Sequence, residues 1–337
     1  MTMSVMKTSS APPAEAFAMV PQGWYVFARS SEVKRSPVSR EVFGRRIVVY
    51  RTAAGKAVAM NARCWHMGAD LGGGCVRGEN IVCPFHGWQF APSGACAQVP
   101  GDGDAPPQAR QSTYAVTERG GLIYVFNAAR ASYELPFFDG VCAADLVGAA
   151  PFEFELNCPW WLVGTNGFDV QHFLAAHDRA LVADPFVTAP HQLARRIVAE
   201  FEVTGRSWRD RLTRICSGPR VTMDVTVWSG NLVFVAARVR HTTTYGMVEI
   251  VPISSADSER TRVRVHMFVR KRLGVLDPVD VRIRRAFVCA FLQPDARLLD
   301  GAVYHPQRLV EADRVMIDYL NWLAPASHGR ALSENLP

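Results

Sequence analysis

Short apolar segments separated by turn residues dominate the first third of the chain. Glycine-containing turns, such as Gly120-Gly121, lie between them. Five of these segments are rich in β-branched and aromatic residues, a composition typical of strands: residues 24–28, 46–51, 57–60, 113–116 and 122–126. The pattern predicts a small antiparallel β domain of about 110 residues.

Longer strand and helix patterns follow. Residues 166–177 contain interspersed apolar residues and no proline. In much of residues 280–300, arginines and apolar residues would lie on different sides of a helix. We therefore expect a helix in each segment. Further strands are predicted for five segments: residues 197–203, 221–227, 232–239, 245–253 and 262–269. These elements predict a twisted antiparallel sheet packed against helices, and the chain as a whole is predicted to be α+β.

Length and composition divide these elements into two domains. A chain of 337 residues, 49% of them hydrophobic, can bury two cores. Residues 1–20 are rich in Ser, Ala and Pro, and we expect a disordered tail there. We expect residues 21–148 to form the first domain with its linker, and residues 149–337 to form the second.

Charge and hydropathy exclude several classes of protein. No apolar run reaches the roughly 18 residues that a membrane span needs, and no apolar signal-peptide core follows the N-terminus. We therefore expect a cytoplasmic protein without a membrane span. The net charge of +6 can steer an acidic partner, although an ordinary basic surface explains it equally well. The arginines are scattered without interleaved aromatic residues, so we expect no nucleic-acid binding.

Two short segments each offer one thiolate and one imidazole. The sequence contains Cys64 and His66 in a Cys-x-His segment, then Cys83 and His86 in a Cys-x-x-His segment. In a Rieske [2Fe–2S] centre two cysteines bind one iron and two histidines bind the other, which fits this order and spacing. A Cys2His2 zinc site is the alternative. Glycines beside both segments favour the cluster, because they let loop backbone approach its sulfurs closely.

With these residues the chain resembles the Rieske family. Respiratory Rieske proteins carry one further cysteine in each cluster loop, and those two cysteines form a disulfide. The matching positions here are Ala69 and Phe85. The resemblance therefore implies the lower-potential type that occurs in oxygenases and ferredoxins.

A second histidine motif opens the second domain. Asn166, Asp169, His172 and His177 follow the pattern Asn-x-x-Asp-x-x-His-x4-His. On one helix these four residues fall within an arc of roughly 140°, and Asp169 can touch His172. Two histidines and a carboxylate from elsewhere form the facial triad of non-haem Fe(II) oxygenases. Two histidines with an ordinary structural role are the alternative, but the preceding Rieske motif favours iron.

Together the two motifs resemble the oxygenase component of Rieske non-haem iron oxygenases. The resemblance implies an N-terminal antiparallel β Rieske domain and a C-terminal helix-grip (START-like) catalytic domain. It also implies two cofactors: a [2Fe–2S] cluster bound by Cys64, His66, Cys83 and His86, and a mononuclear Fe(II) bound by His172 and His177.

A late aspartate completes the iron site in that family. Asp295 and Asp300 are both candidates. We select Asp300, because residues 300–304 resemble the family's segment of an aspartate followed by an aliphatic and an aromatic residue.

The resemblance also assigns roles to the two polar residues before His172. The residue that matches Asp169 bridges the iron site of one subunit to the Rieske histidine, here His86, of the next. Such head-to-tail contacts imply a homotrimer. A carboxylate can also accept a hydrogen bond from a metal-binding imidazole, and Asp169 fits that role. Asn166 matches a position near the iron that is not usually a strong ligand.

Three stretches resemble the branch that includes 3-ketosteroid 9α-hydroxylase and the cholesterol 7-desaturases: residues 66–71, 83–90 and 119–126. They imply a bulky, largely apolar, steroid- or terpenoid-like substrate that is hydroxylated, desaturated or otherwise oxidised with O2. Oxidative demethylation or cyclisation of an aromatic or natural-product substrate is the alternative. The sequence contains no flavin or nicotinamide motif, so we expect electrons from a separate NAD(P)H-dependent reductase, directly or through a ferredoxin.

Two other classes of function remain as alternatives. A Rieske ferredoxin carries electrons without catalysis, and it needs neither the second domain nor the motif at 166–177. A non-catalytic binder of apolar ligands needs no metal ligands in its pocket.

Overall fold

The chain folds into two compact units. The computed structural model describes residues 10–101, 104–240, 242–253 and 259–330. One unit comprises residues 22–135, and the other combines the segment before residue 22 with residues 136–330. No helix within the described ranges is long and apolar enough to cross a bilayer.

The first unit consists of short antiparallel strands. These are β1 (Trp24–Arg29), β2 (Val38–Val42), β3 (Arg45–Arg51), β4 (Ala57–Asn61), β5 (Cys75–Arg77), β6 (Asn80–Val82), β7 (Gln89–Phe90), β8 (Cys96–Gln98), β9 (Thr113–Tyr114), β10 (Val116–Arg119) and β11 (Leu122–Phe126). They form three sheets with the orders β1-β11-β10, β2-β3-β4-β9 and β5-β6-β7-β8. Four of the five strands predicted in this region are thus confirmed, whereas the strand predicted for residues 113–116 is divided between β9 and β10, which belong to different sheets.

The second unit is built on a nine-stranded antiparallel sheet. Its strands are β12 (Leu146–Gly148), β13 (Phe152–Leu156), β14 (Arg179–Leu181), β15 (Phe186–His191), β16 (Ala194–Val203), β17 (Arg220–Trp228), β18 (Leu232–Val239), β19 (Thr242–Pro252) and β20 (Thr261–Arg270). The order is β12-β20-β19-β18-β17-β16-β14, with β13 on β20 and β15 on β16. All five long strands predicted here are confirmed.

Five α-helices accompany this sheet: α1 (Trp160–Thr165), α2 (Val170–His177), α3 (Trp208–Ser217), α4 (Asp277–Leu299) and α5 (Arg314–Ser327). Single 3₁₀ turns occur at Ala14–Ala16, Leu71–Gly73, Ala143–Asp145, Asn166–Phe168, Gly274–Leu276, Pro306–Arg308 and Glu311–Asp313. The α+β class and the mainly antiparallel sheets are as predicted.

Alternation along the central strands gives the sheet two different faces. Val225 on β17 and Val235 on β18 are direct partners and line an internal cavity. The neighbouring Asp224 instead forms ion pairs with Arg196 and Arg238, both with N–O distances of 2.7 Å or less. One face of the sheet therefore lines the apolar cavity, and the other carries this ion-pair network together with buried aromatic residues such as Phe234.

Two boundaries differ from the prediction. Residues 136–148, predicted as the linker of the first domain, belong to the second unit, because β12 pairs with β20 and Phe138 packs on Phe234. Residues 10–20, predicted to be disordered, are also packed on this unit. The ring of Phe17 stacks on Trp161 at 4.2 Å, and the Trp160 indole donates to the carbonyl of Ala18. Residues 1–9 lie outside the described residues.

The single helix predicted for residues 166–177 is interrupted. Residues 166–168 form a 3₁₀ turn, and Asp169 has extended backbone with φ −83° and ψ 93° before α2 begins. Its carboxylate accepts from the N–H groups of Gln171 and His172. Aspartate is a preferred N-cap residue, so α2 starts after it, and the predicted helical arc does not hold for Asn166 and Asp169.

Candidate metal sites

The two cysteine–histidine segments form the same turn twice. In the first, the N–H of Cys64 donates to the carbonyl of Ala69, and the N–H of Gly68 donates to Cys64. In the second, Cys83 donates to Trp88 and Gly87 donates to Cys83. Both glycines have positive φ, 74° and 72°, a conformation that only glycine adopts without strain. The glycines noted in the sequence thus shape both loops.

These turns bury the cysteines and expose the histidines. Cys64 and Cys83 are 4% and 3% exposed and belong to the core of the first unit. The imidazoles of His66 and His86 are exposed, and their ring centroids lie 4.8 Å apart. All four predicted cluster residues therefore lie together, with thiols on the inner side and imidazoles on the outer side.

The surroundings of the sulfurs fit an iron–sulfur cluster. Burial raises the pKa of the Cys64 thiol to about 11, and the nearby Cys83 adds to the shift, whereas N–H donors of His66 and Met67 oppose it. A metal cation favours the thiolate, and backbone N–H groups that point at sulfur are the usual support of a cluster. The donor set of two buried thiols and two imidazoles fits the Rieske arrangement.

Asp70 fixes the first loop to the neighbouring sheet. Its carboxylate accepts from Ser39 Oγ at 2.5 Å, Gly72 N at 2.8 Å and Arg46 Nε at 2.9 Å. Burial alone raises the pKa of this carboxyl, but the hydrogen bonds from Ser39, Gly72 and Arg46 outweigh it and lower the pKa. The loop is thus held by a residue that the sequence reading did not select.

A second group of potential metal ligands lies in the other unit. Atoms of His172, His177 and Asp295 that can bind a metal all lie within 4.8 Å of one another. Asp295 Oδ1 is 2.7 Å from His177 Nε2 and 4.0 Å from His172 Nε2. This is the 2-His-1-carboxylate set that suits a mononuclear Fe(II) with open positions.

Asp295, and not Asp300, joins the two histidines. Asp300 ends α4, and its Oδ1 accepts from the backbone and side-chain N–H groups of Asn157 at 2.8 and 2.9 Å. Asp295 lies five residues earlier within the helix and is 8% exposed. The structure therefore places Asp295, and not the selected Asp300, beside the two histidines, because Asp300 lies after the last helical residue and is held by Asn157.

The backbone of Asp169, not its carboxylate, supports His172. The Nδ1 atom of His172 lies 2.5 Å from the carbonyl oxygen of Asp169, and this contact turns Nε2 towards Asp295. A carbonyl that accepts from one ring nitrogen leaves the other free for a metal. The predicted hydrogen bond between the Asp169 carboxylate and a metal-binding imidazole is not formed, because that carboxylate caps α2.

Arg179 and Phe291 hold His177 from two sides. Arg179 Nη1 donates to the carbonyl of His177 at 2.8 Å and to Asp210 Oδ1 at 2.8 Å. Phe291 stacks on the His177 imidazole at 4.0 Å, and the Arg179 guanidinium lies 5.9 Å from that phenyl ring. Sequence reasoning missed these residues, although Arg179 follows the motif by two positions.

An apolar cavity of about 150 Å³ adjoins this site. Three of its lining side chains are polar, namely Asn166, His172 and Asp295, and the described lining includes no lysine, arginine, serine, threonine or tyrosine. The Asn166 amide nitrogen lies 3.4 Å from His172 Nε2. The volume far exceeds the roughly 15 Å³ that one water molecule needs, so the cavity has room for an organic molecule.

Comparisons with known proteins identify the domain that contains the first site. Residues 23–114 match the model of the Rieske [2Fe-2S] domain. Cholesterol 7-desaturase nvd of Bombyx mori is 34% identical over 189 residues, which cover 55% of this chain and 40% of that protein. Aminopyrrolnitrin oxygenase PrnD of Pseudomonas fluorescens is 33% identical over 175 residues, covering 48% and 47%. The matches thus span less than half of these relatives.

The fold extends the similarity to the whole chain. The crystal structure of dicamba monooxygenase bound to dicamba covers 93% of this chain and 100% of its own, with a TM-score of 0.68 and 18% identity. The first unit is a Rieske [2Fe–2S] domain, and the chain has the two-domain fold of the Rieske oxygenases. The two groups of potential ligands fit a [2Fe–2S] cluster and a mononuclear iron, which are the cofactors of the Rieske oxygenases that this chain resembles.

Substitution of Asp295 or Asp300 by asparagine tests which of the two aspartates binds the iron. We expect Asp295→Asn to lower the affinity for Fe(II) by at least about tenfold, because it removes a charged ligand, and to leave the cluster intact. Asp300→Asn is the matched control and should retain both. Iron and acid-labile sulfide are measured on both variants. Loss of iron from Asp300→Asn alone would reverse the assignment.

Removal of Arg179 tests the support of His177. We expect Arg179→Ala to weaken metal binding by about 10- to 100-fold, because the carbonyl of His177 and the buried Asp210 lose their donor. Titration of the metal-free second site with Co(II), followed by visible absorption, measures this affinity. Arg284→Ala is the control, since Arg284 pairs with Asp280 elsewhere on α4. Equal affinities in the two variants would contradict the role of Arg179.

Proposed function

We propose that the protein is the terminal oxygenase of a Rieske system that oxidises a neutral, bulky and largely apolar molecule, such as a steroid or terpenoid, with O2. The composition of the cavity wall beside His172 and Asp295 supports the neutral and apolar character of this substrate most directly. Except for Asn166 and the metal ligands, its wall consists of apolar side chains and glycine. A buried carboxylate or phosphate on a substrate needs a paired charge, and the described lining offers no cation.

The chemistry of such a site divides between the cofactors and the chain. When bound, the cluster supplies single electrons and the mononuclear iron activates O2. The chain holds the metal through His172, His177 and Asp295, excludes water with an apolar wall, and offers the Asn166 amide as the one non-ligand polar group. An oxygen atom on the substrate that bonds to Asn166 would fix the orientation of the reacting carbon.

A second candidate is the oxidation of a neutral aromatic or natural-product substrate, including demethylation or cyclisation. The similarity to aminopyrrolnitrin oxygenase PrnD supports it, and the same apolar wall accommodates a neutral aromatic ring. A steroid or terpenoid remains the first choice because cholesterol 7-desaturase is the relative with the longer match. An electron carrier or a binder without catalysis explains neither the triad of ligands nor its place beside the cavity.

The proposal includes a separate NAD(P)H-dependent reductase, with or without a ferredoxin, as electron donor. It also includes a head-to-tail homotrimer in which another copy covers the cluster. Three exposed apolar residues surround the two cluster histidines, namely Trp65 (40%), Met67 (64%) and Phe85 (62%), and such a rim is typical of a protein contact. We also propose a cytoplasmic location, because the seven described cysteines form no disulfide bond, as is usual in a reducing compartment.

Product analysis tests the activity. Purified protein is supplied with O2, a surrogate reductase and a panel of neutral sterols, terpenoids, neutral aromatics and aromatic acids, and products are identified by mass spectrometry. We expect a neutral substrate to gain oxygen or lose hydrogen, whereas the acids remain unchanged. Asp295→Asn is the inactive control. Turnover of the acids alone, or equal amounts of iron and sulfide in the native protein, would exclude this proposal.

The proposed bridge by Asp169 is tested with Asp169→Asn. Asparagine is also a good N-cap, so α2 and both metal sites should persist while the negative charge is lost. We expect electron delivery from the reduced cluster to fall by about 10- to 100-fold, measured in a single turnover. A single-turnover rate equal to that of the native protein would show that the Asp169 charge has no part in electron delivery.

A further inference from the structure

Helix α3 turns its apolar residues outward. Trp208, Leu212 and Ile215 are spaced by four and three residues, so they share an arc of about 60°. Their exposed fractions are 66%, 38% and 82%. A surface helix normally buries its apolar stripe against the core, so this orientation requires another explanation.

Polar contacts hold the opposite side of α3. Asp210 is 7% exposed and accepts from Ser207 Oγ and Arg179 Nη1 at 2.5 and 2.8 Å. Arg214 donates to the carbonyls of Val203 and Gly205 at 3.0 and 2.6 Å. The hydrogen bonds from Ser207 and Arg179 outweigh burial and lower the pKa of Asp210, which keeps it charged. Polar contacts therefore anchor the side of α3 that lies opposite its exposed apolar residues.

Arginines flank the apolar arc. Residues 206–220 contain five arginines and one acidic residue, Asp210, which faces inward. On the helix, position 211 lies at one edge of the arc and is an arginine, and Arg206 lies just before the helix begins. Arg206 and Arg211 are exposed. The outward side of α3 thus combines an apolar stripe with a positive border.

We propose that α3 is a docking surface for an anionic lipid bilayer. An interfacial helix places its apolar residues at the acyl boundary, while arginines at the border reach the headgroups. Tryptophan is well suited to that boundary. The positive border matches the charge of anionic lipids, which favours a bilayer over a purely apolar partner. With three apolar residues the docking is weak and reversible.

Another exposed apolar stripe in the chain lacks this charge pattern. Val279 and Ile283 on α4 are 49% and 53% exposed, similar to Leu212. The neighbouring positions at the edges of that stripe are Asp280 and Arg282, so the border has no net charge. The α4 stripe therefore provides a matched control for apolar exposure alone.

Vesicle flotation with the full-length holoprotein tests the proposal. We expect flotation with phosphatidylcholine vesicles that contain phosphatidylglycerol, little flotation with phosphatidylcholine alone, and release at high salt, because screening weakens the arginine contribution. Leu212→Gln/Ile215→Gln should reduce binding by about tenfold or more. Arg206→Gln/Arg211→Gln should reduce the preference for anionic lipid. Val279→Gln/Ile283→Gln should bind as the native protein does.

Molecular mass and iron content are measured on each variant, so that misfolding is recognised independently of binding. No flotation with anionic vesicles, or flotation that persists in both α3 variants, would overturn the proposal. A lower oligomeric mass of Leu212→Gln/Ile215→Gln would also overturn it, because the stripe would then be a contact between copies. The readout needs no substrate, so it is independent of the proposed activity.

Discussion

A carboxylate within an apolar cavity needs a cation, and the second unit is organised around this requirement. Asp295 is 8% exposed among valine, leucine and phenylalanine side chains. An isolated charge in such surroundings is strongly unfavourable. The imidazoles of His172 and His177 both face Oδ1 of Asp295. A divalent metal bound by these three groups would balance the charge of the carboxylate. The contacts around it serve to keep these three groups together.

Each of the three ligands is fixed by a different part of the chain. His172 is oriented by the backbone carbonyl of Asp169, at the point where that residue ends a 3₁₀ turn and caps α2. His177 ends α2, where Arg179 binds its carbonyl and Phe291 covers its ring. Asp295 comes from α4, together with other residues of the cavity wall. Rigid elements hold metal ligands more accurately than loops can, which suits a site with open positions.

The cluster site differs from the second site because two of its four ligands are exposed at the surface. Two nearly identical turns bury Cys64 and Cys83 in the core of the first unit and leave His66 and His86 at the surface. The sulfur side is thus shielded from water, whereas the imidazoles are accessible at the surface. Trp65, Met67 and Phe85 form an exposed apolar rim beside these imidazoles. In the second unit the potential ligands His177 and Asp295 are instead buried, beside an apolar cavity.

Local sequence determined much of this protein, because the relevant residues are close along the chain. Each cluster loop and the His172–His177 pair lie within a few residues, and period-2 strands follow from side-chain alternation. Tertiary structure alone decided the third ligand: Asp295 and Asp300 are both plausible in sequence, but Asp295 meets a histidine 118 positions away. It also decided that Asp169 caps a helix, that Phe17 packs on Trp161, and that Arg179 and Asp210 support His177. Such contacts depend on helix phase and long-range packing, which a spacing pattern does not contain.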